Sequence, residues 1–341
     1  MTEAGFEPQR MTLARELQGW NQSQLAVELD LTAAAVSQFE SGVTSPSPET
    51  QMRLAEKLDV PVTFFALPMV ETHEGFFRSL RRTSVADRRK ARALAHLAYD
   101  VAASGRHGQS RSFEPPDLIR PGLTATKGEI ESLTESVRLQ WGLPDGPVPS
   151  MIGLLESHGV IVIRSLLDTG DVDAFSLPFL DYPVVVLSSD KGDRARSRFD
   201  AAHELGHLVL HGEQFWGLKE VEDQANWFAA AFLMPRSLII DELPATADWP
   251  ALFALKQKWQ VSVAALLMRA RSLGKMPESS YLGAVKMMSA RGWRKREPAP
   301  LGRPEEPNLL GEILAAGGSE TVRNALPGEL VRRLAGSATR S

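Results

Sequence analysis

The sequence predicts two differently built parts: an all-α segment over residues 8–68, and an α+β, mostly helical segment over residues 117–290 with a small antiparallel sheet. Three observations carry this. Apolar residues recur at helical spacing in the first part: Met11, Leu13, Leu17; Leu25, Ala26, Leu29; Val36, Phe39; and Met52, Leu54, Ala55, Leu58. In the second part, Val160–Ile163 and Val184–Leu187 are short runs of apolar, mostly β-branched residues that read as strands, with Val172–Leu177 as a third. From Asp193 to about Gly274 the pattern returns to helix.

Composition bounds the rest. With 341 residues, 43% apolar and 23% charged, the chain can bury sizeable cores, which excludes global disorder and fibrous classes. Cys is absent, so disulfides, Cys-based zinc fingers and Cys nucleophiles are excluded. The longest apolar run, Trp227–Met234, is far short of the roughly 20 residues that a membrane span needs. The first ten residues carry two Glu and no apolar stretch, so no signal peptide is expected, and a cytoplasmic protein is.

Gly, Pro and Ser clusters mark the seams. Ser45-Pro46-Ser47-Pro48 reads as a loop within the first domain, Gly105 to Pro116 as a linker, and Pro144 to Pro149 as a second break. Residues 291–341 read as a Pro-rich, charged connector and a short C-terminal helical segment. Charge is uneven along the chain. Residues 1–66 hold four Lys/Arg against nine Asp/Glu. Residues 71–92 hold seven Lys/Arg against three acids, within a segment, 76–105, that reads as a basic connecting helix. Such a run reads as a solvated helix face or a contact with the acidic first domain, and alternatively as a source of phosphate contacts.

Within the first domain, Gln22–Leu29 forms one helix, Asp30-Leu31 a turn, and Thr32 caps a second helix, Ala33–Glu40, that stops at Gly42. Leu25 and the small Ala26 face inward, Leu31 fills the space between the helices, and Val36 and Phe39 anchor the second helix. Ala33, Ala34, Ser37 and Gln38 are left on the exposed face, where a recognition helix meets base edges. This stretch, with ETQMRLAEKLDVPVTFF after the Pro-rich loop, resembles the Cro/C1-type (XRE) helix-turn-helix domain. The resemblance implies a five-helix domain that binds double-stranded operator DNA as a homodimer, with Gln22, Ala33, Ala34, Ser37 and Gln38 facing the DNA. The recognition helix departs from the usual pattern in having no Arg or Lys, so guanine cannot be read by a bidentate cation.

In the second domain, His203-Glu204-Leu205-Gly206-His207 is HExxH. Four helical residues place the two imidazoles about 40° apart and about 6 Å along one face, so both can grip one Zn²⁺. Glu204, offset by one residue, is the candidate general base for a water at the open coordination position. A third ligand must come from elsewhere. His211 lies about 12 Å along a straight helix from His203, too far to share the ion. Glu222 is the preferred ligand, since a helix there places it on one face with Ala225, Asn226 and Ala229, with Glu220 and Asp223 as competitors.

The stretch RSRFDAAHELGHLVLH … VEDQANWFAAAFLMP resembles the ImmA/IrrE family of metallopeptidase domains, as does Trp259–Gly274 downstream. The resemblance implies a zincin-like domain with zinc held by His203, His207 and Glu222, Glu204 as catalytic base, and proteolysis of a repressor or other regulatory protein. The expected whole is a DNA-binding regulator carrying a zinc-dependent endopeptidase. The alternative is a transcription factor whose peptidase-like domain binds metal as a sensor or dimerisation module without cutting.

Overall fold

The computed structural model describes residues 5–70, 72, 84–105, 112–165, 174–189, 192–211, 218–317 and 319–328. By packing, the chain falls into two compact units. One comprises residues 1–113, 156–190 and 306–341, the other residues 114–155 and 191–305. The expected segment 117–290 is therefore shared between them, and the sheet belongs to the same unit as the N-terminal helices.

In the first unit, α1 (Pro8–Leu17), α2 (Gln22–Leu29), α3 (Ala33–Glu40) and α4 (Pro48–Leu58) are followed by a 3₁₀ turn over Val62–Ala66. Local chemistry marks the helix ends. Asn21 accepts from Gln24 N at 2.9 Å, and Gln24 Oε1 accepts from Asn21 N at 2.8 Å, a reciprocal cap. Asp30 closes α2 in the left-handed conformation at φ 53°, which Asp tolerates better than most residues. Thr32 caps α3 by accepting from Ala35 N. Ser47 caps α4 and Pro48 opens it, so the Ser-Pro loop is also a helix start. Met11, Leu25, Val36, Leu54, Leu58 and Phe64 fill the core. Met52, one of the apolar residues in the α4 pattern, is 58% exposed. It lies two residues, about 200°, from Leu54 and so on the opposite side of the helix.

The described part of the basic helix is α5 (Val85–Ala103). Arg78, Arg81, Arg82 and the Phe76–Arg81 segment lie outside the described residues. From Ala91 to Ala102 the helix is buried nearly all round, with Ala93–Tyr99 buried without a break. Buried Arg10 of α1 donates to both carboxylate oxygens of Asp100 on α5 and to the carbonyls of Leu67 and Pro68, so its charge is neutralised and its donors are used. Arg89 pairs with Glu16 at 3.6 Å, a contact of this helix with the acidic N-terminal helices.

The sheet consists of β1 (Ile161–Ser165), β2 (Ala174–Leu177) and β3 (Val184–Ser188) in the order β1-β3-β2. It is mixed, which corrects the antiparallel expectation: β1 and β3 run parallel, while β2 and β3 run antiparallel. The chain after β1 first forms β2 at the far edge, then turns back to lay β3 between the two in the direction of β1. All five residues of β3 are buried, which is why its sequence is a continuous apolar run and not an alternation. Beyond the connector, α14 (Leu309–Ala315) and α15 (Glu320–Ala325) place Leu310, Ile313, Ala325 and Leu326 in the same core. Glu156 accepts from Asn308 N and Leu309 N and so holds the start of α14.

His96 on α5 is 2% exposed and stands edge-on to Phe179 at 5.0 Å. Burial, reinforced by Arg92 and Arg10, lowers its pKa to about 3. Folding therefore requires neutral His96. Its contribution to stability is complete above about pH 6.5, the ordinary His value, and is lost as pH falls from there toward 3. The expected loss is on the order of a few kcal/mol. Urea melts of the wild type and His96→Leu between pH 7 and 4 check this: the variant should lose less stability on acidification, and equal losses would refute it.

The second unit contains α6 (Lys127–Gln140), α8 (Arg194–Leu210), α9 (Lys219–Leu233), α10 (Arg236–Ile239), α11 (Trp249–Trp259), α12 (Val263–Ser272) and α13 (Glu278–Ala290), and the boundary between units falls within α7 (Met151–Ser157). The pairing of α8 with α9 depends on Gly206. A Cβ there would stand 3.1 Å from Phe228 Cδ1 and 3.3 Å from Ala225 Cα, so only Gly permits this approach without displacement. The Pro-rich connector is pinned at its acids. Glu297 accepts from Val263 N and Ala264 N at the start of α12 and pairs with Lys256 at 2.8 Å. Glu305 accepts from Ser150 Oγ, Ile152 N and Arg198. No helix among the described residues is long and apolar enough to cross a membrane.

Candidate functional site

The HExxH residues lie in the C-terminal half of α8. This helix buries Ala201, Ala202, Leu205, Leu208, Val209 and Leu210, which makes it a rigid core element. Because Gly206 lets α9 approach, Glu222 in the first turn of α9 reaches the same point as the two imidazoles. His203 Nε2 and His207 Nε2 are 3.0 Å apart, and the Glu222 carboxylate is 3.7 Å from the former and 3.9 Å from the latter. One ligand atom from each residue falls within a 4.8 Å span. Among the described residues this is the one such group of three. His₂-carboxylate is the donor set of an open catalytic zinc site, and the spacing suits a single ion, so these residues fit zinc. Neither competitor, Glu220 or Asp223, is in the group.

Electrostatics agree. Burial lowers the pKa of His203 to about 4 and that of His207 well below the ordinary value, so both imidazoles are neutral at pH 7, the form that binds a metal. Their outer nitrogens are held. His203 Nδ1 lies 3.2 Å from Asn226 Oδ1, and His207 Nδ1 lies 3.0 Å from His211 Nδ1. Glu204 is 3% exposed and is not one of the converging ligands.

His211 is the C-cap of α8, contacts His207 and Gln224, and is not in the converging group. Arg198, on the same helix, is 1% exposed and donates to Glu305 and the Val148 carbonyl. Asn226 and Gln224 have no part in the motif. The signal that points to them is a polar side chain on a largely apolar helix: Gln224 is 1% exposed, and a buried amide implies built partners.

At the N-terminal helices, Ala33, Ala34, Ser37 and Gln38 are all exposed on α3, with Val36 fully buried behind them. Gln22 is half-buried at the start of α2 and donates to Glu40 Oε2 at 2.8 Å. Arg15 donates to both Glu40 oxygens, at 2.6 and 2.9 Å. This network ties α1, α2 and α3 together and sets the angle at which α3 is presented.

Residues 13–65 match the family model of helix-turn-helix domains, and residues 155–271 match that of a peptidase family described as the IrrE N-terminal-like domain, in that order along the chain. No curated protein matches the chain.

Proposed function

We propose that this chain is a DNA-binding transcriptional regulator whose HExxH unit is a zinc-dependent endopeptidase acting on a regulatory protein, such as a repressor. The observation that carries the peptidase half is the convergence of His203, His207 and Glu222 from two helices, beside a buried Glu204. When bound there, Zn²⁺ supplies Lewis acidity toward water and a scissile carbonyl. The chain's own residues do the rest. His203 and His207 would hold the ion through Nε2 and Glu222 through its carboxylate, Asn226 would orient His203, and the Glu204 carboxylate would take a proton from the attacking water and return it to the leaving amine. Beside Asn226 lies a groove of about 900 Å³ walled by apolar Phe199, Trp227, Met268 and Trp293 and by charged Asp200, Arg236 and Arg294, a mixed surface on which a polypeptide could lie.

For the DNA-binding half, the support is the exposed α3 face and the helix-turn-helix match. Gln38 is its longest polar side chain and can pair with adenine through both amide atoms. Gln38→Ala is expected to weaken operator binding by about 1–3 kcal/mol and to leave binding to unrelated duplex nearly intact. Fluorescence anisotropy against an operator duplex, located first by footprinting the intact protein on its own promoter, and against a scrambled duplex checks this. Equal affinity of variant and wild type for the operator would remove Gln38 from base readout.

A further inference from the structure

We infer that His211 is a positioning residue for the metal ligand His207, held in turn by Gln224 and the backbone of Gly122 and Leu123. The inference rests on the reading of His203, His207 and Glu222 as a zinc site. The polarity of this chain of bonds is set at its backbone end. Carbonyl oxygens only accept, so the Gln224 amide must direct its NH₂ toward Gly122 O at 2.9 Å and Leu123 O at 3.2 Å. That turns Gln224 Oε1 toward His211 Nε2, 3.1 Å away. An amide oxygen also only accepts, so His211 Nε2 carries the hydrogen and its Nδ1 carries the lone pair. That lone pair faces His207 Nδ1 at 3.0 Å, so His207 Nδ1 is the donor and His207 Nε2 is left with its lone pair pointing at the ligand position.

The other imidazole also pairs with a side-chain amide on α9. Asn226 Oδ1 accepts from His203 Nδ1, which leaves His203 Nε2 unprotonated. Two nitrogen lone pairs then face each other 3.0 Å apart, with a carboxylate less than 4 Å from each. Acceptors packed in this way repel one another unless a cation lies among them. His207, His211 and Gln224 are all buried, so water does not compete for these bonds. An imidazole–imidazole–amide chain ending on main-chain carbonyls thus fixes the tautomer and the ring plane of the ligand, as partners behind metal-bound histidines do. Its anchor lies in the loop before α6, outside both metal-bearing helices.

Two measurements test this on the full chain. Zinc affinity, read by competition with a chromogenic chelator, should fall roughly 10- to 100-fold in His211→Phe. It should recover substantially in His211→Gln, whose amide oxygen can accept from His207 Nδ1. Nitrogen-15 NMR of the zinc-loaded wild type should show a coupling across the N–H···N bond between the two Nδ1 atoms, a readout that needs no variant to fold. Affinity of His211→Phe within twofold of wild type, or no such coupling with the His207 Nδ1 hydrogen exchanging freely, overturns the relay. Wild type that binds no zinc, or binds it equally well as His203→Ala, overturns the site reading and the relay with it. Zinc binding that His203→Ala abolishes and His211→Phe leaves unchanged overturns the relay alone.

Discussion

The purified His203→Ala/His207→Ala double variant is expected to hold essentially no zinc, where the wild type holds about one ion per chain, as a single His₂-carboxylate site would. In the proposed site each imidazole would supply one of three protein ligands, and Glu222 alone, on a half-exposed first helical turn, would give one carboxylate and no chelate. Removing the two rings opens space beside Asn226 and His211 but leaves the packing of Leu205, Leu208 and Phe228 in place, so the unit should stay folded. Metal analysis after dialysis, paired with circular dichroism, makes the check. A folded double variant that still carries about one zinc per chain would place the site elsewhere. Glu222→Ala should lose metal in the same assay, while Glu220→Ala and Asp223→Ala should not, which separates the convergent carboxylate from its neighbours on α9.

The HExxH helix was legible in the sequence because its signal is local. Four residues of helix fix the relation of His203 to His207, and the surrounding apolar residues mark the helix as buried. The helix-turn-helix was legible for the same reason: Ala26, Val36 and the Asp30 turn are read within a window of about twenty residues. Parts that depend on long-range pairing were not. Strand positions could be located from β-branched runs, but whether β1 pairs β3 parallel or antiparallel depends on the route of the chain through β2, and no residue in the runs records it. The connector 296–307 reads as loose because Pro and charge dominate it. Its acids Glu297 and Glu305 acquire partners only when the starts of α12 and α7 are brought beside them. His211 was legible as a misfit for the ion, but its partner Gln224 and the carbonyls of Gly122 and Leu123 meet only after α8, α9 and the loop before α6 have packed.

Glu204→Gln is expected to keep about one zinc per chain and to lose peptide hydrolysis by roughly 10²- to 10⁴-fold, the range that removing a positioned general base costs. The substitution is nearly isosteric, so the buried position should accept it, and Glu204 is outside the converging ligand group, so the ion should stay. Only the ability to take a proton is removed, because an amide oxygen at neutral pH is a far weaker base than a carboxylate. Comparison of new protein N-termini in cells expressing the wild type and Glu204→Gln identifies the substrate and measures the effect together: cleavage products should accumulate only with the wild type. The three possible results separate the readings. Products with the wild type alone establish Glu204 as the base of a working peptidase. Equal products from both proteins remove it from that role. Zinc retained by both proteins with no new N-termini from either would make this unit a metal-binding sensor or dimerisation module attached to a DNA-binding domain, and the same cells would then show regulation of the target promoter that is unaffected by Glu204→Gln and abolished by the double histidine variant.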